Sequence, residues 1–263
     1  VTIILQGIIL QNILDFYIKH YPTANVIIST WIDSTLNLQK IPSTYNLILS
    51  KLPEDGGPQN MHCQILSTLN GLRFTETDYV IKVRGDEYYS NIEYIMNEIV
   101  NNPKKIHCSP VFFRHWSYNK FCISDHIIAG TTNNLKLMFE KTNFYCKNNM
   151  ICDIPENEIK LGIRHQEKRK FEQLEKIQWG PEESLTRSYL MAKELERWGK
   201  VDGRQLMVDN FEILNINKLS PFRALSNGNR IHWENSYIPE KNQSISNINQ
   251  LFLSKEEVYA NIL

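Results

Sequence analysis

The 263-residue sequence has no surplus of charge: Lys plus Arg number 29, as do Asp plus Glu. With no global field to recruit DNA, RNA or an anionic lipid surface, nucleic acid is excluded as a partner, and any anion site must be local. That suits a small phosphorylated substrate. The five cysteines, Cys63, Cys108, Cys122, Cys146 and Cys152, are odd in number and include no Cys-x-x-Cys pair. A disulfide framework and a zinc knuckle are therefore not expected, and a reducing, cytoplasmic compartment is. No apolar run approaches the roughly 20 residues of a transmembrane segment. The chain opens on Val1-Thr2-Ile3-Ile4-Leu5 with neither an initiator methionine nor a basic leader, and reads as a segment of a longer protein. It has no Gly-x-Gly-x-x-Gly for a dinucleotide, no P-loop, and no Gly-x-Ser-x-Gly nucleophile elbow.

What is present is an alternation of short apolar runs with helical patterns. Val1–Leu5, Asn25–Ser29, Tyr45–Leu49 and Tyr79–Val83 read as strands. Gln11–His20 and Asn60–Leu72 carry apolar residues at helical spacing, and Ile92–Val100 reads as a helix capped by Ser90 with Glu93 three residues on. Such alternation predicts an α/β fold with a mostly parallel sheet flanked by helices. In open sheets of this class, ligands bind outside the carboxyl ends of the strands. The second half is less regular. Ile106–Phe113 and Phe121–Ala129 read as extended, Asn133–Lys141 as helix, and the charged stretch 157–175 as a helical insertion. Pro181 opens a helix over Glu182–Trp198, Gln205–Ile216 contains a strand, and a polar tail with a short final helix follows Lys241. The expected organisation is one domain over 1–263. Residues 1–110 form its more regular half, 111–240 its less regular half, and 241–263 an irregular C-terminal tail.

The chemistry-bearing stretch is Asp78-Tyr79-Val80-Ile81-Lys82-Val83-Arg84-Gly85-Asp86-Glu87, where an apolar strand ends on Arg, Gly, Asp and Glu. A strand-end carboxylate can hold a divalent cation that bridges diphosphate oxygens. The planar fork of Arg84 can neutralise further phosphate charge, and Gly85 permits close backbone approach. A plain polar turn after a buried strand is the alternative for the same residues. Lys82 lies in a strand otherwise buried, so its ammonium needs an anionic partner, either a phosphate or a structural carboxylate.

Six segments together resemble the WavE family of lipopolysaccharide-synthesis glycosyltransferases. They are Thr2–Gly7, Pro22–Trp31, Asn60–Leu72, Tyr79–Asp86, Ser124-Asp125-His126 with Gly130, and Pro181-Glu182-Glu183, in order over roughly residues 1–195. The resemblance implies a GT-A-type fold, in which a Rossmann-like nucleotide-sugar-binding half, here 1–110, merges with an acceptor-binding half, here 111–240. It also implies a nucleoside-diphosphate sugar as donor and a saccharide, free or lipid-linked, as acceptor. GT-A enzymes typically hold Mn²⁺ or Mg²⁺ with Asp-x-Asp. Here the triplet is Arg84-Gly85-Asp86, so Asp86 is carried over as the metal ligand, with Glu87 or Arg84 able to make up for the missing acid.

The resemblance places the nucleotide base at Gln6 and Gly7, which otherwise form a simple strand–helix turn. Thr30 and Trp31 end the second strand; the indole either stacks on a base or sugar or sits in the core. Asn60, Gln64 and Ser67, at i, i+4 and i+7, form a polar stripe suited to a nucleotide or to solvent. Asp125 is the candidate for donor-sugar hydroxyls. Glu182 and Glu183 complement a helix dipole in any case. An inverting transferase also needs a carboxylate to take the acceptor proton, and Glu182 is preferred over Glu183 for that role. His232 is the candidate late metal ligand. Two other readings compete with the transferase: a non-catalytic nucleotide- or glycan-binding module, and a sugar nucleotidyltransferase. The latter would need a Gly-rich basic loop where Gln6-Gly7-Ile8-Ile9-Leu10 stands. Donor base and sugar, linkage and oligomeric state have no signature in the sequence.

Overall fold

The computed structural model describes residues 1–111, 121–147, 181–219, 222–226 and 229–233, the last two segments largely as backbone. Seven strands form one sheet. They are β1 (Thr2–Gln6), β2 (Asn25–Trp31), β3 (Tyr45–Ser50), β4 (Tyr79–Arg84), β6 (Ile106–Cys108), β7 (Ile127–Thr131) and β8 (Phe211–Ile213), in the order β3-β2-β1-β4-β7-β6-β8. The β3–β2, β2–β1, β1–β4 and β6–β8 pairs are parallel, and β7 runs against both its neighbours. The expected α/β architecture is therefore present: a mostly parallel sheet with flanking helices.

The apolar residues of the central strands serve two cores, one on each face of the sheet, because both faces are covered. On β1, Ile4 packs into a core with Met61, Ile65 and Leu69, while Ile3 and Leu5 pack on the other face with Ile13, Leu14, Tyr17 and Ile95. These partners come from α1 (Gln11–His20), α2 (Met61–Arg73) and α3 (Ile92–Asn101). Apolar residues at helical spacing, such as Ile92, Ile95 and Ile99 of α3, supply the buried stripes. α4 (Thr132–Lys147) packs against α2 and against α5 (Pro181–Lys193); α6 (Gly203–Asn210) and α7 (Ile216–Leu219) flank β8. A smaller antiparallel sheet joins β5 (Tyr88–Tyr89) to β9 (Phe222–Ser226) and β10 (Asn229–Trp233). Among the described residues, no helix is long and apolar enough to cross a membrane.

Several local expectations shift. α3 is capped by Asn91, whose side chain accepts the Tyr94 N–H at 3.1 Å, in place of Ser90. The segment 121–126 is irregular, and the strand begins only at Ile127. Phe121 has φ +57°, and the Ser124 hydroxyl accepts the His126 N–H at 3.4 Å, a local bond that competes with a ladder. α5 ends at Lys193, short of Trp198, and the region 203–213 is helix before it is strand. The charged insertion at 157–175 and the tail from 241 lie outside the described residues.

Candidate active site

The strand order turns back on itself at β1, which has β2 on one side and β4 on the other. Chains leaving the carboxyl ends of β1 and β4 therefore diverge and open a crevice there. Two hydrogen bonds tie its floor together: Gly85 N to Gln6 O at 2.9 Å and Leu10 N to Gly85 O at 3.0 Å. A Cβ on Gly85 would come within 2.5 Å of Ile9 Cγ1 and 2.7 Å of Ile8 O, so the close approach that needs glycine is to the chain after β1. Gly7 has φ +87°, a left-handed conformation favouring glycine, and donates its N–H to Ser29 O at 3.0 Å.

The β4 wall carries the charge. Arg84 Nε lies 3.1 Å from Asp86 Oδ1 and its terminal nitrogen 3.0 Å from Oδ2, a two-pronged clamp. Burial works against the Arg84 charge, but the carboxylates of Glu87, Asp86 and Asp125 outweigh it and hold the guanidinium more firmly protonated than usual. Asp86 keeps 18% of its side chain exposed, at the strand end that borders the crevice. Glu87 keeps none and is turned inward, 3.2 Å from Arg84 Nε.

Behind this wall, Lys82 is fully buried. Its ammonium donates to the main-chain oxygen of Asp125, with the Asp125, Glu87 and Asp86 carboxylates as counter-charges. The partner is thus structural in the protein itself. Desolvation still dominates and lowers the Lys82 pKa from 10.5 to about 8. The Asp125 carboxylate accepts from Gln64 Nε2 at 2.7 Å. Burial raises its pKa, but Lys82, His126, Arg84 and the Gln64 hydrogen bond outweigh burial and hold it below the ordinary carboxylate value.

The β1–β2 wall has hydroxyls and amides only. Ser67, fully buried on α2, donates to Gln6 Oε1 at 2.6 Å, and Ser29 donates to Ser67 O at 2.7 Å. The expected polar stripe breaks up accordingly. Gln64 reaches Asp125 and Ser67 reaches Gln6, whereas Asn60 sits ahead of α2 at φ +61° and off the helical face. Trp31 is 7% exposed and offers no open face for stacking. Thr30 is buried, and its Oγ1 has no hydrogen-bond partner among the described residues.

α5 closes the far side. The Thr186 hydroxyl lies 3.4 Å from Ile123 N, and the 3₁₀ turn Pro58–Asn60 packs against the same helix, so its first turn stands beside the segment leading to Asp125. Glu183 is committed to Arg187, with Oε1 2.9 Å from Arg187 Nε, and the guanidinium lies 4.4 Å from the centroid of the Phe121 ring. Glu182, on the same turn, is half-buried.

A family model for WavE lipopolysaccharide synthesis matches residues 5–253, nearly the whole chain. This chain belongs to the WavE family. Membership places this WavE protein in lipopolysaccharide synthesis and makes saccharides its expected substrates. No curated protein matches the chain. Among solved structures it is similar to HddC from Yersinia pseudotuberculosis, at 10% identity and a TM-score of 0.34, over 51% of this chain and 77% of that one. A likeness that slight bears on neither mechanism nor substrate.

In the WavE chain, the sequence offered Glu87 only as a stand-in strand-end acid and His126 only as part of a family segment. Glu87 and His126 form a buried pair, His126 Nδ1 lying 2.5 Å from Glu87 Oε1 across 39 positions of sequence. Their proximity to Asp86 and Asp125 was the only local signal, and nothing in the spacing announces a pairing. His232 lies on β10, opposite Arg223 of β9, in the small sheet that β5 joins two residues after Asp86; its side chain lies outside the described residues.

Proposed function

We propose that this WavE protein is a glycosyltransferase that moves a sugar from a nucleoside-diphosphate donor to a glycan or lipid-linked saccharide acceptor, with inversion at the anomeric carbon. The observation that carries this reading is the Arg84–Asp86 clamp, open to the crevice where the sheet order reverses, with the Lys82–Asp125 pair behind it. A fork that now grips a carboxylate in two places has the geometry to grip a phosphate.

The donor set also fits a divalent ion. Mg²⁺ and Mn²⁺ sites of this kind take one or two carboxylates, the rest of the shell being substrate phosphate and water. Two cations, Lys82 and Arg84, stand against three carboxylates, Asp86, Glu87 and Asp125, which leaves no fixed positive surplus for a diphosphate. Asp86 would hold the ion, with His232 as a further candidate ligand. Among the described residues no cluster of three or more His, Cys, Asp or Glu could hold one by itself. When bound, the ion supplies Lewis-acid neutralisation of the departing diphosphate.

The chain's own residues do the remainder. The ends of β1 and β2, with Gln6 and Gly7, bound the base and ribose. Arg84, released from Asp86, takes phosphate charge, and Asp125 with Gln64 holds donor-sugar hydroxyls. Glu182 takes the proton of the acceptor hydroxyl as its oxygen forms the new bond to the anomeric carbon and the nucleoside diphosphate departs. Glu183, locked to Arg187, holds the helix turn that carries Glu182.

The test is a thermal-shift panel of nucleoside-diphosphate sugars with and without Mn²⁺, paired with detection of released nucleoside diphosphate. A donor-specific shift lost in Asp86→Ala, together with acceptor-dependent release, supports the reading. A shift without release in the presence of saccharide acceptors points instead to a binding module. No shift and no release across the panel sinks the proposal.

A further inference from the structure

Two acids stand side by side at the end of β4, and the fold treats them oppositely. Asp86 faces the crevice, whereas Glu87 is sealed from solvent. A buried carboxylate requires donors, and Glu87 is given them. Its Oε1 lies 2.5 Å from His126 Nδ1 and 3.2 Å from Arg84 Nε, and its Oε2 receives the Tyr89 hydroxyl at 2.9 Å. With Glu87 ionised its oxygens only accept, so the hydrogen of this bond belongs on His126 Nδ1 and the ring plane is fixed. The opposite nitrogen, Nε2, is 3.9 Å from Asp125 Oδ1. Glu87 therefore reaches Asp86 through the guanidinium they share, and it anchors the imidazole ring that stands beside the Asp125 carboxylate.

We propose that Glu87 and His126 are a positioning pair that holds Asp86 and Asp125 in fixed relation across the crevice. The pair rests on the donor-site reading of those two acids. Lys82 already ties β4 to the main-chain oxygen of Asp125, and the β4–β7 ladder stops at Ile127, so what remains to be fixed between the two acids is the relation of their side chains. The segment 121–126 makes no ladder, so a side chain crossing from β4 fixes what the backbone leaves loose. Neither residue touches substrate; each acts through its neighbour.

The experiment compares His126→Asn, His126→Phe and Glu87→Gln by donor-dependent transfer and by ¹⁵N NMR of the imidazole. Positioning lowers kcat about 10–100-fold in His126→Phe and Glu87→Gln, the loss typical of supporting residues behind a reactive group. Donor KM stays within about threefold, and His126→Asn, whose amide N–H donates from near the place of Nδ1, recovers to within about threefold of wild type. Equal loss in His126→Asn and His126→Phe, or a change confined to KM, overturns the proposal. The NMR arm needs no turnover. A proton on His126 Nδ1 whose resonance moves in Glu87→Gln upholds the pair, and a ring protonated only at Nε2 overturns it. If the wild type transfers no sugar from any donor, the glycosyltransferase reading falls separately. Pyrophosphate is then added to the same sample: a shift of the His126 ring signals upholds the link to the crevice, and unmoved signals overturn it.

Discussion

The two walls of the crevice are built from different materials. The β4 wall sets Arg84, Asp86, Glu87 and Asp125 around a fully buried lysine, while the β1–β2 wall offers only Gln6, Ser29, Thr30 and Ser67. Charge is costly to bury, so each charge on the first wall is tied to another and its position is over-determined. Hydroxyls and amides are cheaper to bury, and one of them, Thr30 Oγ1, has no hydrogen-bond partner among the described residues. The contrast teaches where function should be fragile: the charged wall should fail in turnover, the neutral wall in packing.

The largest expected effect comes from Glu182→Gln, which removes charge from the acceptor side while keeping shape. Loss of a general base lowers turnover by about 10²–10⁴-fold, with donor binding retained. Steady-state transfer and donor titration check this; unchanged turnover would remove Glu182 as the base and move the decisive charge elsewhere on the wall.

Lys82 gives the next effect. Its folded pKa, about 8, lies below the ordinary 10.5, so between those values the unfolded chain binds more protons than the folded one. Stability contributed through Lys82 therefore rises as pH climbs through that window, by about 3 kcal/mol in full. Tyr17 and Tyr89, whose pKa values are raised by burial, pull the other way above pH 10. The useful quantity is thus the difference between wild type and Lys82→Met in urea unfolding from pH 7 to 10. A pH-independent difference would mean that Lys82 titrates normally and that the charged wall is wetter than its burial implies.

Gly85→Ala acts where the walls meet. The added methyl collides with backbone of the β1 loop, and overpacking of this kind costs about 1–3 kcal/mol. Lowered unfolding midpoints with weakened donor binding are expected together, because the same contact sets the crevice floor. Wild-type stability would show that the β1 loop yields easily.

The smallest effect is Thr30→Val. Replacing a buried hydroxyl that has no partner with a methyl is expected to raise stability by about 1 kcal/mol, with transfer unchanged. Weaker donor binding instead would bring Thr30 into the nucleotide site and narrow the contrast between the walls.

The first four strands and first three helices were legible because apolar runs and helical stripes repeat over lengths that leave few alternatives; α1 matches its expected bounds. The requirement that Lys82 have a partner was also legible, since burial forces pairing. The partner itself was not, because Asp125 stands 43 residues away. Periodicity failed at 121–126, where a left-handed Phe121 and a serine side-chain bond replace the ladder, and at Asn60, where a left-handed residue leaves the helix face.

By itself, the sequence determined the sheet, the strand end at which Arg84 and Asp86 appear, and the family, because these depend on local pattern and on residues adjacent in the chain. Only the tertiary structure decided which acid faces the crevice and which is sealed behind it. Asp86 and Glu87 are neighbours with nearly the same chemistry. What separates them is the arrival of His126 from 39 residues away, which with the neighbouring Tyr89 makes a dry site for one carboxylate and leaves the other at the water's edge.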